Sequence, residues 1–169
     1  MKDNFTKSLA FVRKDEGGND EDADDHGGRT SRGITQREYT AWRLEQGKPD
    51  SDVWFAPDEE INNIYHDEYW EPYCDLFPNG TDYLYFDMAV NAGPHRAALI
   101  LQSALGVSVD GRIGPVTRLA AQNITDFKSL VEKFDAQKRA FYISLHQPKF
   151  IKGWLNRCDH VAANAMTLI

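Results

Sequence analysis

The chain has 169 residues, with 19 basic and 26 acidic side chains and a formal net charge of −7. This balance excludes a duplex nucleic-acid binder, which needs a basic face. A hydrophobic content of 41% excludes a disordered chain, and two cysteines exclude a disulfide scaffold. Seven of the eleven residues from Asp15 to Asp25 are acidic, so the charge is concentrated in one place. The apolar run Leu9 to Val12 is shorter than the roughly 7–15 residues of a secretory core. No run approaches the ~18 residues of a membrane span. The expectation is a protein made in a cytoplasm, without a signal peptide and without membrane insertion. Cys74 and Cys158 stand in no metal-ligand spacing and are expected to be free, buried thiols.

Phe5, Leu9 and Val12 recur at helical spacing, which predicts an amphipathic helix over residues 3–16, ended by Gly17-Gly18. Residues 19–34 lack that period and read as a loop with a small hairpin near residues 22–34. Thr35 and Glu38 form a capping box for a second helix, which stops before Gly47. Pro57 opens a third helix that runs to Trp70, ahead of Pro72. Thr81 or Asp82 caps a fourth, broken at Asn91-Ala92-Gly93-Pro94. The next turns Ala97, Ala98, Leu101 and Leu105 inward and ends at Gly106. Pro115 starts a short helix. Asp126 caps the longest one, with Phe127, Leu130, Val131, Phe134, Phe141 and Leu145 as its apolar face. The remainder, through Trp154 and Val161 to Met166, is helical with one break. The fold class is mainly α, with a small β-hairpin.

At about 100° per residue, Glu16 lies roughly 20° from Phe5 and Leu9 and roughly 40° from Val12 on the first helix. A carboxylate on an apolar stripe, at a helix C-terminus and among Asp15, Asp20, Asp22 and Asp25, is disfavoured in its charged form. A carboxylic acid kept protonated is what a glycosidase uses to protonate a leaving oxygen. An exposed glutamate at a helix end would produce the same pattern.

The residues beyond Glu16 narrow the choice. Glu16-Gly17-Gly18, followed by Asp25-His26-Gly27-Gly28-Arg29-Thr30-Ser31-Arg32-Gly33-Ile34-Thr35, resembles the signature of glycoside hydrolase family 108. Three further stretches are similar to that family in the same order: Tyr65 to Tyr69-Trp70-Glu71-Pro72, Phe86 to Pro94, and Leu101-Gln102 with Val109-Asp110-Gly111 through Thr117. The last resembles a peptidoglycan-binding-type segment. The resemblance implies a lysozyme-like fold and an N-acetylmuramidase, many of whose relatives are bacteriophage endolysins. It implies that Glu16 is the general acid and that Asp25 lies across the cleft. Thr30, matching the family's threonine, is expected to place the water with Asp25; Ser31 is the alternative hydroxyl. Tyr69, Trp70 and Asn91 are expected to line the sugar cleft, although core packing and helix capping would also account for them. One departure stands out: Asn19, Asp20, Glu21, Asp22 and Ala23 replace the aromatic-containing run usual after the glycines.

Other chemistries fit less well. Asp20, Asp22 and Asp24 occupy positions 1, 3 and 5 of a calcium loop, but Asp25 and Ser31 stand where Gly and Glu are required. The five histidines are scattered and no H-E-x-x-H zinc motif occurs. No metal or organic cofactor is expected. The resemblance thus implies a cell-wall hydrolase, expected to be monomeric and antimicrobial. It would cut the β-1,4 bond between N-acetylmuramic acid and N-acetylglucosamine in peptidoglycan. A catalytic lobe would span residues 1–93 and a helical peptidoglycan-binding-type lobe residues 94–169, packed as one compact domain. The family implies a protein held in the host bacterial cytoplasm until release to the periplasm and cell wall. A non-catalytic binding module and a lytic transglycosylase are the alternatives. Because the chain is acidic, wall binding is expected to draw on local basic residues such as Arg29, Arg32 and Arg112.

Overall fold

The computed structural model describes residues 2–15, 19–20 and 29–169, and the chain falls into two units. One comprises Met1–Ser8 and Tyr69–Ile169, the other Leu9–Glu68. Helix α1 (Lys2–Asp15) contributes to both.

In the Leu9–Glu68 unit, α1 buries Leu9 and Val12, the two residues of its apolar stripe that belong here. A small antiparallel sheet follows, made of β1 (Asn19–Asp20), β2 (Thr30–Ser31) and β3 (Ile34–Thr35) in that order. Ser31 pairs with Ile34 across a two-residue turn in which Arg32 has φ 50° and Gly33 has φ 82°. Two successive positive φ values define the hairpin turn whose twist matches its strands, and glycine enters that region without a Cβ clash. The described hairpin turns at Arg32–Gly33, at the far end of the 22–34 segment expected from sequence; residues 21–28 lie outside the described residues.

Thr35 caps α2 (Gln36–Glu45) as expected. Its hydroxyl accepts from the Glu38 N–H at 3.3 Å, and Glu38 Oε2 accepts from the Thr35 N–H at 2.8 Å. A 3₁₀ turn (Val53–Phe55) leads to α3 (Asp58–Ile64), for which Pro57 is the N-cap and three carboxylates fill the first turn. That placement suits the positive end of the helix. The single helix expected to run to Trp70 changes form at Tyr65: residues Tyr65–Trp70 are a π-helix. Glu60 ties α3 to the rest of the unit. It accepts from the Tyr39 hydroxyl at 2.6 Å, from Arg43 at 2.7 Å and from Lys48 at 2.9 Å. Partial desolvation works against its charge, but these donors hold its pKa below the ordinary value.

In the other unit, a 3₁₀ turn (Cys74–Leu76) precedes α4 (Thr81–Ala92), whose residues from Thr81 to Ala89 are all buried. A helix covered on every side is a hub. It packs on α5 (Pro94–Leu105) and α8 (Ile151–Ala165), while α7 (Phe127–Ser144) packs on α5 and α8. The short α6 (Pro115–Gln122) sits on α5. Gly80 rather than Thr81 or Asp82 is the N-cap of α4, because Asp82 is turned inward to accept from Asn4 at 2.5 Å. Gly93 ends α4 and starts α5. The division expected at residues 93/94 therefore falls between two helices packed on each other. Asp126 caps α7 through the Ser129 N–H, as its sequence position predicts. The break expected in the C-terminal stretch is not found, since Ile151–Ala165 is one helix.

The inward face of α7 differs from the expected apolar list. Leu130, Val131 and Phe134 are buried, but so are Lys138 and Tyr142, while Leu145 is 39% exposed. Positions 134, 138 and 142 are one helical turn apart, so Lys138 points along the core stripe. It meets Asp87 of α4, and both side chains are essentially inaccessible. Arg157 of α8 donates to the other oxygen of Asp87 at 2.9 Å. Burial disfavours the Asp87 carboxylate, yet these two cations hold its pKa below 3.8.

A second buried anchor explains part of the sequence pattern. Gln102 accepts from the N–H groups of Asp110 and Gly111 at 3.0 and 2.8 Å. Its amide nitrogen faces Asp110 Oδ1, the Arg112 carbonyl and Thr117 Oγ1 at 2.7–3.1 Å. Gly111 has φ 74°, and a Cβ there would come within 2.2 Å of the His95 ring. The Gln, the Asp-Gly turn and the Thr of the motif thus form one hydrogen-bonded cluster. Cys74 and Cys158 are free and buried, as expected. Desolvation pushes the Cys74 thiol well above its ordinary pKa and Cys158 to about 11.

Asp87→Ala should lower unfolding stability by about 3–5 kcal/mol in denaturant titrations, because it strands two buried cations. Since folding depresses the Asp87 pKa, its contribution is present above pH 3.8 and lost as pH falls through the lower folded value. Denaturation midpoints measured from pH 6 to about pH 2 should therefore fall less steeply for Asp87→Asn than for wild type.

Candidate active site

Glu16 and Asp25, the expected acid and its partner, lie outside the described residues, immediately before and within the segments that flank β1 in sequence. What the structure describes is the strand pair β2–β3, which follows them in sequence. Thr30 and Ser31 form β2, and alternation along the strand turns their side chains to opposite faces. Ser31 is fully buried, and its hydroxyl accepts from Arg32 Nε at 3.1 Å. Thr30 is half-buried, and its hydroxyl has no hydrogen-bond partner among the described residues.

The turn that holds these two residues is fixed from several directions. Arg32 donates to Asp58 at 2.5 Å and to the Ala56 carbonyl at 2.7 Å, and its own carbonyl accepts from the Tyr65 hydroxyl at 2.8 Å. A non-glycine residue with positive φ persists where its surroundings over-determine it, and Arg32 meets that condition. Arg29 sits over the Trp54 ring at 4.4 Å and pairs with Asp52 at 2.5 Å. Two of the three arginines expected to serve as local wall-binding charges, Arg29 and Arg32, are therefore engaged by Asp52 and Asp58, and they brace the hairpin.

Trp54 and its neighbour Phe55 were not among the expected site residues. The Trp54 indole N–H is buried without a hydrogen-bond partner among the described residues, and Phe55 is 81% exposed. Their adjacency in the short apolar run Val53–Pro57, between acidic residues on both sides, is the signal that could have marked them. Desolvation first, then the charges of Glu45, Asp67 and Glu38, raise the pKa of Glu68 in the same unit.

Tyr69, Trp70 and Asn91 belong to the other unit. Tyr69 is half-buried. Trp70 is 1% exposed, so its indole has no open face for a sugar. It packs edge-on against Phe5 and Phe86 at 5.4 and 5.3 Å and donates to Asp75 at 3.0 Å. This burial favours core packing, the alternative the sequence left open for Trp70, over a place in the sugar cleft. Ser31 likewise has no exposed surface with which to touch substrate. Asn91, one turn after Asp87 on α4, directs its amide oxygen to the Arg157 guanidinium at 2.7–2.9 Å and its amide nitrogen to the Tyr142 hydroxyl at 3.2 Å. The side chain is thereby joined to the buried Asp87 cluster. Trp70→Ala should cost about 3–5 kcal/mol of stability. Its melting temperature should fall while KM of the surviving enzyme stays near the wild-type value.

Comparison with known proteins agrees with this architecture. Residues 9–93 match the family described as glycosyl hydrolase 108, and residues 96–159 match one described as a predicted peptidoglycan domain. The solved structure of SagA from Brucella abortus is similar with a TM-score of 0.84 and 31% identity, over 99% of this chain and 97% of that one. No curated protein sequence matches. The mainly α fold is thus lysozyme-like, and the chain belongs to the glycosyl hydrolase 108 family, as a glycoside hydrolase acting on peptidoglycan.

Proposed function

We propose that the chain is an N-acetylmuramidase that hydrolyses the β-1,4 bond between N-acetylmuramic acid and N-acetylglucosamine, with Glu16 as the general acid. The observation that carries this reading is the family match over residues 9–93, which contains Glu16, Asp25 and Thr30. Glu16 would protonate the glycosidic oxygen, and departure of the sugar would leave oxocarbenium-like charge on the remaining ring. Asp25 would stabilise that charge or take a proton from the attacking water. Thr30 would orient the water. Its hydroxyl, which has no partner among the described residues, supports Thr30 over Ser31, whose hydroxyl is already bonded to Arg32. Phe55 offers an exposed apolar face of the kind sugar rings pack against. The biological role would be bacteriolytic, of the endolysin type.

Glu16→Gln keeps the size of the side chain and removes its proton. Lysis of cell-wall suspensions should fall at least about 100-fold, the scale of general acid catalysis, with the unfolding curve unchanged. Mass spectrometry of the digest should find new reducing muramic acid ends. An anhydro end would replace hydrolysis by transglycosylation, no cleavage would leave only binding, and full activity of the variant would remove Glu16 from the reaction.

A further inference from the structure

The peptidoglycan-domain segment carries a groove whose chemistry the glycosidase reading leaves unused. It lies between α5 and α7, has a volume of about 350 Å³ and is lined by Arg96, Leu99, Ser103, Gln137, Phe141 and Ser144 among others. Leu99 and Phe141 supply apolar surface. Ser103 and Gln137 have no side-chain partner among the described residues, and the Ser144 hydroxyl donates to the Phe141 carbonyl at 2.7 Å.

Arg96 distinguishes this groove. Its guanidinium lies over the Phe141 ring at 4.6 Å and has no carboxylate partner among the described residues. The lining contains no acidic residue at all, in a chain whose net charge is −7. Arg96 also occupies the first turn of the twelve-residue helix α5, where the helix dipole already favours an anion and disfavours a cation. An unneutralised arginine there does nothing for the helix. A planar guanidinium held against an aromatic ring, by contrast, is preorganised for a carboxylate. Sugar recognition would call for several acceptors facing hydroxyl groups. This lining instead offers one cation, apolar surface for methyl groups, and isolated amide and hydroxyl groups for a peptide backbone.

We propose that the α5–α7 groove binds the anionic peptide stem of peptidoglycan, with Arg96 taking a stem carboxylate. The proposal rests on the peptidoglycan reading and specifies which part of the polymer this segment contacts. Peptide stems combine alanyl methyls, backbone amides and carboxylates, which is the complement of this lining.

The test uses the full chain, purified sacculi, and glycan strands stripped of peptide by an amidase. Wild type should co-sediment with intact sacculi at least about tenfold more tightly than with stripped glycan, the scale of one charge-assisted hydrogen-bonded contact. Arg96→Gln should lose that preference on intact sacculi and be unchanged on stripped glycan. Arg96→Lys should recover part of it. The rate at which reducing ends appear from stripped glycan should be the same for wild type and Arg96→Gln. Equal wild-type binding to both substrates, or wild-type binding of sacculi by Arg96→Gln, overturns the groove assignment. Failure of any reducing ends to appear would instead overturn the hydrolase reading, and the sacculus comparison would still decide the groove.

Discussion

One carboxylate inside α4 constrains more of this structure than any other group. Asp87 is inaccessible to solvent and faces Lys138 from α7 and Arg157 from α8, so three helices meet at a single side chain. Asn91 supplies a further acceptor for Arg157 from the same helix as Asp87. Desolvating three charges takes back much of what their attraction returns, so such a cluster adds little net stability. Its leverage lies in what it forbids. A shift of one helical turn in α7 or α8 would bury an unpaired ammonium or guanidinium. Hydrophobic contacts tolerate sliding; this cluster does not.

The Leu9–Glu68 unit uses the same device with a larger share of surface. Glu60 gathers Tyr39, Arg43 and Lys48, and Asp58 gathers Arg13 and Arg32. The Asp58–Arg32 pair braces the hairpin on which Thr30 sits. The acidic excess of the chain thus serves partly as internal mortar. Charges that look available for ligands in a linear reading are consumed in holding short irregular elements, which have too few apolar residues to hold themselves.

The helices were legible because their signals are local. The Thr35–Glu38 capping box, the Asp126 cap and the Gly106 stop each act within one turn of chain, and each stands where the sequence places it. Lys138 was not legible as core, because hydrophobic periodicity does not register a buried cation whose partner lies 51 residues away. The burial of Trp70 failed for a related reason. Aromatic residues serve equally in cores and in sugar clefts, and only the positions of Phe5 and Phe86 decide between them. The π-helix at Tyr65–Trp70 has no sequence signal of the kind that marks caps and turns. At the site, Ser31 and Thr30 are equivalent as hydroxyls in sequence. The strand's alternation and the Arg32 bond separate them. Arg96 carries no sequence signal either, because its distinction is negative: no carboxylate pairs with it among the described residues.

The two cysteines have a consequence for where such an enzyme can work. Both thiols are enclosed, and both are held in the protonated form by burial, so neither presents a thiolate to an oxidant or to another thiol. The core was completed with sulfur but without sulfur chemistry. A protein built this way gains nothing from disulfide formation and loses nothing to a reductant. Its fold is therefore indifferent to the redox state of its surroundings.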